Sequence, residues 1–453
     1  MALTETNDVT AGAPAAGLRP RLQSWLASEH GAAQRMAGTA FVIRVAGAVV
    51  IFLSQILLAR WMGGFEFGLY VYAWTWLQMI GDIIHLGLPI SAQRIIPEYS
   101  QRKDLDGLRG FLLGSRWMVF GAATAVALLG AAVVQGFASS LQRDTVLPLY
   151  LACVALPFYS LSNMLDATAR AYNAVVTAFL PPFVLRPLLL LITMGAMRAS
   201  GFPLDAISGM AAFAFATWTT TLLQMVLVRR YLGRVIATGP RRYDIAAWMK
   251  TSGPMFAVWA FYMLLTYTDV LVLRQFQSPE VVAHYYAAAK TLLLVAFIHF
   301  AVSAAVAHRF AAHHVAGDRA ALAKLAASTV RWTFWPSLLA ITGVLALGKP
   351  ILWLFGPNFD DAYPLMFILA IPLVARAAVG PAERVLNMLG EQRHCALVYG
   401  AMFALNLGGS IAVAGPYGGT GVACVIATGA VIEAALLFLI AKRRLGLHML
   451  IWR

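Results

Sequence analysis

The chain has 453 residues, of which 60% are apolar and only 12% are charged, and its mean hydropathy is +0.73. A soluble globular protein usually carries about twice that charged fraction. The composition excludes a soluble enzyme and a disordered chain, and a net charge of +14 in so apolar a sequence does not indicate a nucleic-acid-binding domain. Because a membrane-spanning helix needs about 20 apolar residues, the sequence predicts a polytopic membrane protein.

Residues 1–37 are rich in Ala, Gly, Thr and Pro and contain no apolar core of the kind that a signal peptide needs. We interpret them as a disordered cytoplasmic tail. Twelve apolar runs follow, each long enough to span a bilayer. They cover roughly residues 38–62, 69–91, 111–136, 146–169, 174–198, 206–228, 252–275, 281–306, 329–348, 362–389, 394–414 and 419–441.

Basic residues are distributed unequally between the connections on the two sides. With a cytoplasmic N-terminus, the inside segments hold 22 Lys and Arg residues and the outside connections hold five. Cytoplasmic loops of membrane proteins carry such an excess of Lys and Arg. The sequence therefore predicts a multi-pass protein with both termini in the cytoplasm.

The longest connection between spans, about residues 229–251, separates six spans from six. At an offset of 214 or 215 residues, similar residues of the two halves align across four spans. The aligned pairs include Arg60 with Arg274, Glu66 with Glu280, Tyr72 with Tyr286, Asp104 with Asp318 and Leu108 with Leu322. Repeats with an even number of spans share one orientation, and many transporters contain them. The predicted fold class is an all-α polytopic membrane protein with twelve transmembrane helices in two six-helix lobes related as parallel repeats.

The predicted N-terminal lobe covers residues 38–230 and the C-terminal lobe residues 251–445, with a basic cytoplasmic linker at 231–250 and a cytoplasmic tail at 446–453. The connections are too short for a soluble catalytic domain, and the sequence has no GxxxxGK[ST], HExxH or GxSxG motif. We expect no catalytic residue, cofactor, metal site or enzyme activity. The functional class that remains is transport, through a path between the two lobes.

Two arginines lie near the predicted midplane, where an ionisable group costs roughly 2.5–3.5 kcal/mol and tends to face a cavity or a partner. Arg186 follows two consecutive prolines in the fifth span, and Arg376 lies between Pro372 and Gly380 in the tenth. Because guanidinium groups bind phosphate bidentately, both are candidates for holding an anionic head group in a central cavity. The alternative is interhelical ion pairing, or hydrogen bonding to carbonyls that the prolines leave free.

Lys290 in the eighth span and Asp269 in the seventh have predicted depths that differ by only ~5 Å. They either pair across the hairpin or act as a cavity cation and a proton-sensitive carboxylate. Arg44 lies ~9 Å inside the first span. It either reaches the cavity or extends its head group to the cytoplasmic surface.

Three carboxylates are candidates for ion coupling, because acidic residues inside membranes often serve as proton relays. They are Asp82, which precedes His85 by three residues in the second span, Asp269, and Glu433 in the twelfth span. The alternative role for each is structural pairing with a neighbouring side chain.

Several motifs resemble those of one transporter family. They are Leu57-Leu58-Ala59-Arg60-Trp61-Met62-Gly63, Glu66-Phe67-Gly68-Leu69-Tyr70, Leu86-Gly87-Leu88-Pro89, Thr268-Asp269-Val270-Leu271, Leu354-Phe355-Gly356-Pro357 and Asn387-Met388-Leu389-Gly390-Glu391-Gln392. Residues 38 to 445 are similar to the polysaccharide transporter family of the multidrug/oligosaccharidyl-lipid/polysaccharide exporter superfamily. His284, where that family often has glycine, and Lys290, at a variable position, depart from the pattern.

The resemblance implies a two-lobed flippase of the bacterial inner membrane. Such a carrier moves an undecaprenyl-pyrophosphate-linked oligosaccharide to the periplasmic leaflet by alternating access, for O-antigen, exopolysaccharide or capsule synthesis, and its cavity is cationic. Its expected partners are this substrate and membrane lipids, with a glycan polymerase and other assembly proteins as candidates and no nucleic acid.

Two other functions compete with this prediction. A drug or cation antiporter of the same superfamily would need an acidic cavity, whereas the deep charges here lean cationic. A membrane glycan polymerase or ligase would need a large periplasmic loop, and every predicted outside connection is too short for one.

Overall fold

The computed structural model describes residues 29–139, 142–296 and 318–451, together with positions 298, 302, 306 and 310. Within these ranges the chain forms helices and short connections, and no strand occurs. The all-α class predicted from the sequence is confirmed. Most of the predicted tail at residues 1–37 lies outside the described residues, and the first helix within the described residues begins at Glu29.

The described part of the N-terminal half contains seven helices. They are α1 (Glu29–Ile83), α2 (Leu88–Gln101), α3 (Leu105–Gly136), α4 (Arg143–Ala171), α5 (Val175–Leu180), α6 (Arg186–Ala199) and α7 (Ala206–Val235). A π-helical turn, Pro181–Leu185, joins α5 to α6. Proline has no N–H to give to the helical ladder, so the two prolines account for the altered hydrogen-bonding pattern in this predicted span.

The described part of the C-terminal half also contains seven helices. They are α8 (Ile245–Phe276), α9 (Pro279–Leu293), α10 (Arg319–Ala346), α11 (Gly348–Phe355), α12 (Tyr363–Val379), α13 (Ala382–Met388) and α14 (Gln392–Leu445). A short 3-10 turn, Phe359–Ala362, precedes α12. Below, the N-terminal half means residues 38–235 and the C-terminal half residues 245–451.

Eight helical segments in the described ranges are long and apolar enough to cross a membrane, or nine if the bent pair α10–α11 forms one span. Two of them, Gly38–Gln101 and Gln392–Leu445, have 64 and 54 residues. At 1.5 Å per residue these would exceed twice the ~30 Å thickness of the hydrocarbon core. Each segment is interrupted by non-helical dihedral angles, at Gly63 (φ 81°, ψ 169°) and Gly418 (φ 55°, ψ −143°).

The chain turns back at both glycines. A Cβ atom built at Gly409 would lie 2.8 Å from Val425, although the two residues would be ~24 Å apart along a straight helix. Around the other break, Met62 and Tyr70 both lie against Gly209. α14 is therefore a pair of antiparallel arms, and α1 is likewise divided into two arms at Gly63. The predicted eighth span enters residues outside the described part, so the count of twelve stays a prediction.

The ends of two helices reproduce the sequence repeat. Asp104 accepts a hydrogen bond from the Gly107 N–H (3.0 Å) at the start of α3, and Asp318 accepts one from the Ala321 N–H (2.9 Å) at the start of α10. Both residues of the second pair lie 214 positions after those of the first. Asp is a favoured N-cap because its side chain satisfies a free helical N–H. The repeat therefore extends to the capping of corresponding helices.

The two halves meet at the end of the bundle that holds Gly63 and Gly418, called here the far end. Arg60 lies over the Trp353 ring (4.9 Å), and Arg274 Nη2 donates to Gln142 Oε1 (2.6 Å). These two arginines align in the sequence repeat, and each crosses to the opposite half.

Close packing at the far end reinforces this contact. A methyl group at Gly68 would overlap the carbonyl oxygen of Pro279 (1.9 Å), so α1 and α9 approach at a distance that only glycine permits. Phe67 continues the contact, with its ring 6.0 Å from Tyr286 and 6.4 Å from Phe359. The halves are therefore in tight contact at this end.

At the opposite end, called here the basic end, the connection 236–244 between the halves lies against the start of α3. Arg242 forms an ion pair with Asp104 and donates its backbone N–H to the Asp106 carbonyl (2.9 Å). Arg109 Nε donates to the Ala237 carbonyl (2.8 Å). The Gly107 N–H and the Arg242 guanidinium lower the pKa of the Asp104 carboxyl, so this contact persists at neutral pH.

We expect Asp104→Asn to release this connection. The amide keeps a capping oxygen but loses the negative charge that pairs with Arg242, so trypsin should cut after Arg241 or Arg242 faster than in the parent protein. Timed digestion of the protein in detergent, followed by mass spectrometry of the fragments, measures this rate. Glu98→Gln, which removes the exposed pair with Arg102, is the control; an unchanged cleavage rate in Asp104→Asn would contradict the proposed contact.

Candidate functional site

Two of the predicted cations line one cavity between the halves. Arg44 on α1 and Lys290 on α9 face a space of about 350 Å³. Its other lining residues are mostly apolar: Ala48, Ile51, Phe52, Gln55, Phe183, Leu293, Leu294 and Ala296. A site with two cations and mostly apolar walls suits a molecule that carries negative charge beside an apolar chain. The structure therefore brings together two residues that lie 246 positions apart in the sequence.

Aromatic rings position both cations. The Arg44 guanidinium lies over Phe179 (4.7 Å) and Phe183 (5.3 Å). A Cβ atom at Gly47 would lie 2.8 Å from Phe183 Cβ, so α1 packs directly against the π-helical turn. This close packing places Arg44 beside the rings. Cation–π contacts are favourable within about 6 Å of a ring centroid.

Lys290 has the same kind of support on the other wall. Its Nζ lies over the rings of Tyr286 (5.0 Å) and Trp74 (5.7 Å). Asp269 accepts instead from the Tyr285 hydroxyl (2.9 Å) and from the backbone N–H of Val270 (2.8 Å). No ion pair within 4.0 Å joins Asp269 and Lys290, both of which are described residues. The lysine charge is therefore available to the cavity.

A second cavity, of about 240 Å³, lies within the C-terminal half and is more polar. Ala296 lines both cavities, so they adjoin. The ionisable and hydroxyl side chains on its wall are Tyr262, Ser337, Arg376, Glu383, Arg384 and Glu433. These donors and acceptors suit a hydroxyl-rich or zwitterionic ligand better than an apolar one.

Arg376 and Glu433, predicted as an anion-binding residue and an ion-coupling residue, form one ion pair. Arg376 Nη2 lies 3.2 Å from Glu433 Oε1, and the Glu433 side chain is only 5% exposed whereas that of Arg376 is 43% exposed. The arginine therefore neutralises a buried acid and also presents part of its guanidinium to the cavity. Arg376 lies in the last turn of α12, which ends at Val379 just before Gly380 (φ 59°).

Arg186 lies inside the N-terminal half and lines neither cavity. It is 8% exposed, donates from Nη2 to Ser162 Oγ (2.8 Å) and lies over the Tyr159 ring (5.4 Å). The Ser162 hydroxyl is in turn 2.9 Å from Gln224 Oε1. This arginine holds α4, α6 and α7 together in the present conformation.

Asp82 lies where the two halves touch along α8. Its carboxylate accepts from Asn163 Nδ2 (2.9 Å), the Tyr159 hydroxyl (3.2 Å) and the Tyr267 hydroxyl (3.0 Å). The first two donors belong to the N-terminal half and the third to α8. His85 is buried. It lies two residues after Ile83, the last residue of α1, and is therefore outside that helix. Asp82 is thus a carboxylate that bridges the halves through neutral donors.

Sequence reasoning missed the aromatic and hydroxyl partners of these charges. Tyr159, Tyr267, Trp74 and Tyr286 occur in apolar runs where aromatic residues are common, so nothing local marks them as ligands of a charge. Their roles follow from contacts between distant helices. Among the described residues, no cluster of three or more His, Cys, Asp or Glu side chains could hold a metal ion.

Comparisons with solved structures show the fold. The chain is similar to a multidrug resistance MATE family transporter of the MOP superfamily in an inward-facing conformation, with a TM-score of 0.71 and 15% identity over 90% of this chain and 94% of that one. It is also similar to the lipid II flippase MurJ in an inward closed conformation, with a TM-score of 0.70 and 14% identity over 89% and 87%.

An outward-facing MATE family transporter of the MOP superfamily gives a lower TM-score of 0.65, at 15% identity over 90% and 95% of the two chains. No family model and no curated protein matches the sequence. The chain therefore has the fold of MOP superfamily transporters and is a multi-pass membrane protein, and the solved structures that it resembles are transporters rather than enzymes.

We expect Arg376→Ala to destabilise the protein, because it leaves Glu433 buried without its cation. Loss of one partner of a buried pair costs up to 3–5 kcal/mol, and the partial exposure of Arg376 reduces the expected loss to about 1–3 kcal/mol. Thermal unfolding in detergent measures the effect. The double variant Arg376→Ala/Glu433→Gln should recover most of the stability, since the amide is neutral; a double variant as unstable as the single one would contradict the pairing.

Proposed function

We propose that this chain is a flippase that moves a polyprenyl-pyrophosphate-linked oligosaccharide across the bacterial inner membrane by alternating access. The observation that supports this proposal is the cavity between the halves, which Arg44 and Lys290 line together with mostly apolar side chains. A lipid diphosphate has the matching chemistry, since it joins a strongly negative group to a long hydrocarbon chain. Two cations at the junction neutralise that charge in a setting of low dielectric.

The adjoining polar cavity then receives the sugars. Its hydroxyl, carboxylate and guanidinium groups offer both donors and acceptors, and Tyr262 adds an aromatic face on which a sugar ring can stack. Arg376 contacts the glycan side of the substrate from its pair with Glu433. Arg186 acts indirectly in this scheme, because it supports the α4 residues that hold Asp82.

The conformation fits a carrier that is closed at the far end. Arg60, Arg274 and the Gly68–Pro279 contact hold the halves together at the far end. Arg44 and Arg384 line cavities on the other side of this closure. The higher TM-score to an inward-facing than to an outward-facing relative agrees with this state. In an inward-facing carrier of this orientation, the basic end lies on the cytoplasmic side. The proposed carrier has twelve spans in two lobes, with both termini in the cytoplasm.

The second candidate function is a drug or cation antiporter. The carboxylates inside the bundle, namely the buried Glu433 and the partly buried Asp82 and Asp269, favour it together with the similarity to a multidrug resistance transporter. The two functions differ in the charge of the ligand. Proteoliposomes that take up ethidium against a proton gradient, with loss of uptake in Glu433→Gln, would establish the antiporter; the flippase should show no such uptake.

If the cavity between the halves binds the lipid diphosphate, removal of its two cations should slow transport. The double variant Arg44→Gln/Lys290→Gln should flip a dye-labelled polyprenyl-pyrophosphate oligosaccharide in proteoliposomes roughly 100-fold more slowly, because each charged hydrogen bond contributes about 1.5–3 kcal/mol. Arg198→Gln/Lys349→Gln is the matched control. Those residues also lie over aromatic rings, of Trp61 and Tyr363, but they line neither cavity. Flipping by the first double variant at the parent rate would refute the assignment.

The Asp82 bridge predicts proton coupling. Protonation turns this carboxylate from an acceptor of three hydrogen bonds into a donor at one oxygen, which weakens its contact with Tyr267 on the other half. We expect collapse of the proton gradient to slow transport by the parent protein, and transport by Asp82→Asn to be slower and independent of the gradient. Asp106→Asn, at the exposed basic end, is the control. Equal parent rates with and without a gradient would exclude Asp82, Asp269 and Glu433 as proton carriers.

A further inference from the structure

A groove on the outer surface of the C-terminal half lies apart from both cavities described above. It has a volume of about 520 Å³ and lies between the two arms of α14 at the basic end. Its walls are Leu436, Leu439 and Ile440, and its rim carries His394, Arg443 and Arg444. Aliphatic walls below a basic rim are complementary to a molecule with an anionic head and an apolar tail.

The groove lies on a face that is directed toward lipid. Val431, Ala435, Leu439 and Arg443 follow one another at intervals of four residues, so they share one face of the second arm of α14. The first three are exposed although they are apolar. Arg443 lies 25 residues, or ~38 Å along the helix, after the Gly418 turn at the far end, which exceeds the ~30 Å thickness of the hydrocarbon core. The arginine is therefore at the level of lipid head groups.

The basic rim is partly preorganised. Arg444 Nη2 lies 3.3 Å from His394 Nε2, and His394 Nδ1 lies 2.6 Å from Glu391 Oε2. This chain of contacts joins the start of the first arm to the end of the second and holds Arg444 at one side of the groove. Arg443, on the other side, forms no ion pair with any described residue. Its charge is available to a ligand.

The sequence repeat supplies an internal reference. At the offset of 214 residues, Arg443 and Arg444 align with Arg229 and Arg230 near the end of α7, while His394 aligns with Leu180. Both arginine pairs are exposed at the basic end. The C-terminal pair lines the groove, whereas Arg229 and Arg230 line neither the groove nor the two central cavities. The two pairs therefore have equal charge in different surroundings.

We propose that this groove is a binding site for an anionic phospholipid of the surrounding leaflet, distinct from the transported substrate. The phosphate lies between Arg443 and Arg444, and an acyl chain follows Leu436, Leu439 and Ile440 toward the bilayer centre. Basic pockets between transmembrane helices on the cytoplasmic side are general recognition sites for anionic lipid head groups. The site does not depend on what the central cavities transport.

Native mass spectrometry of delipidated protein titrated with phosphatidylglycerol tests the proposal. We expect one tightly bound lipid, with phosphatidylcholine binding much more weakly. Arg443→Gln/Arg444→Gln should raise the dissociation constant roughly 30-fold, given the contribution of each basic residue near an anionic surface. Arg443→Lys/Arg444→Lys should retain most of the binding, and Arg229→Gln/Arg230→Gln, with the same loss of charge, should change the affinity less than twofold.

Three outcomes would overturn the proposal. They are parent-like affinity in Arg443→Gln/Arg444→Gln, an equal loss in Arg229→Gln/Arg230→Gln, and displacement of the lipid by millimolar inorganic phosphate. The second would show general attraction to a basic surface, and the third would identify a free phosphate site. If the double glutamine variant does not insert in the membrane, Arg443→Gln alone serves, since Arg443 makes no ion pair that folding requires; it should weaken binding roughly fivefold.

Discussion

The energetic cost of placing an ionisable group in an apolar bundle governs this structure. Lipid offers no hydrogen bonds, so each deep charge needs a partner, an aromatic face or a water-accessible cavity. Arg376 has Glu433, Asp82 has three neutral donors, and Arg44 and Lys290 have aromatic rings and a shared cavity. The different partners divide the charges into those that are paired within the bundle and those that line a cavity between its halves.

Breaks in the helices determine the positions of the charged residues that line the two cavities. Two prolines produce the π-helical turn that packs on Gly47 and carries Phe183 beneath Arg44. The glycine at position 380 ends α12 just after Arg376. Helix interruptions expose backbone groups, which membrane proteins tolerate only beside protein or a cavity. The same breaks that shorten the helices thus create the space in which a polar ligand fits.

The halves contact each other differently at their two ends. Aromatic rings, a glycine contact and two repeat-related arginines join them at the far end, whereas at the basic end the start of α8 packs on the N-terminal half through Trp248, which donates to the Tyr99 hydroxyl (3.1 Å). Both cavities described above lie nearer the basic end. Along α8, Asp82 and Tyr267 add a polar contact that depends on one titratable group. An alternating-access carrier needs contacts of both kinds, since one end must open when the other closes.

Local sequence patterns determined the helical class, the long apolar segments, the reversal at Gly418 and the candidate charges, because hydropathy and helix breakers act over a few residues. The sequence also placed Asp104 and Asp318 in corresponding positions, and both cap helices. Only the tertiary structure decided which charges meet. Arg186 and Arg376 have similar predicted depths, yet Arg186 is enclosed by Ser162 and Tyr159 whereas Arg376 pairs with Glu433. Depth follows from position along a helix, whereas a partner depends on how helices are rotated and packed, and that is a property of the whole bundle.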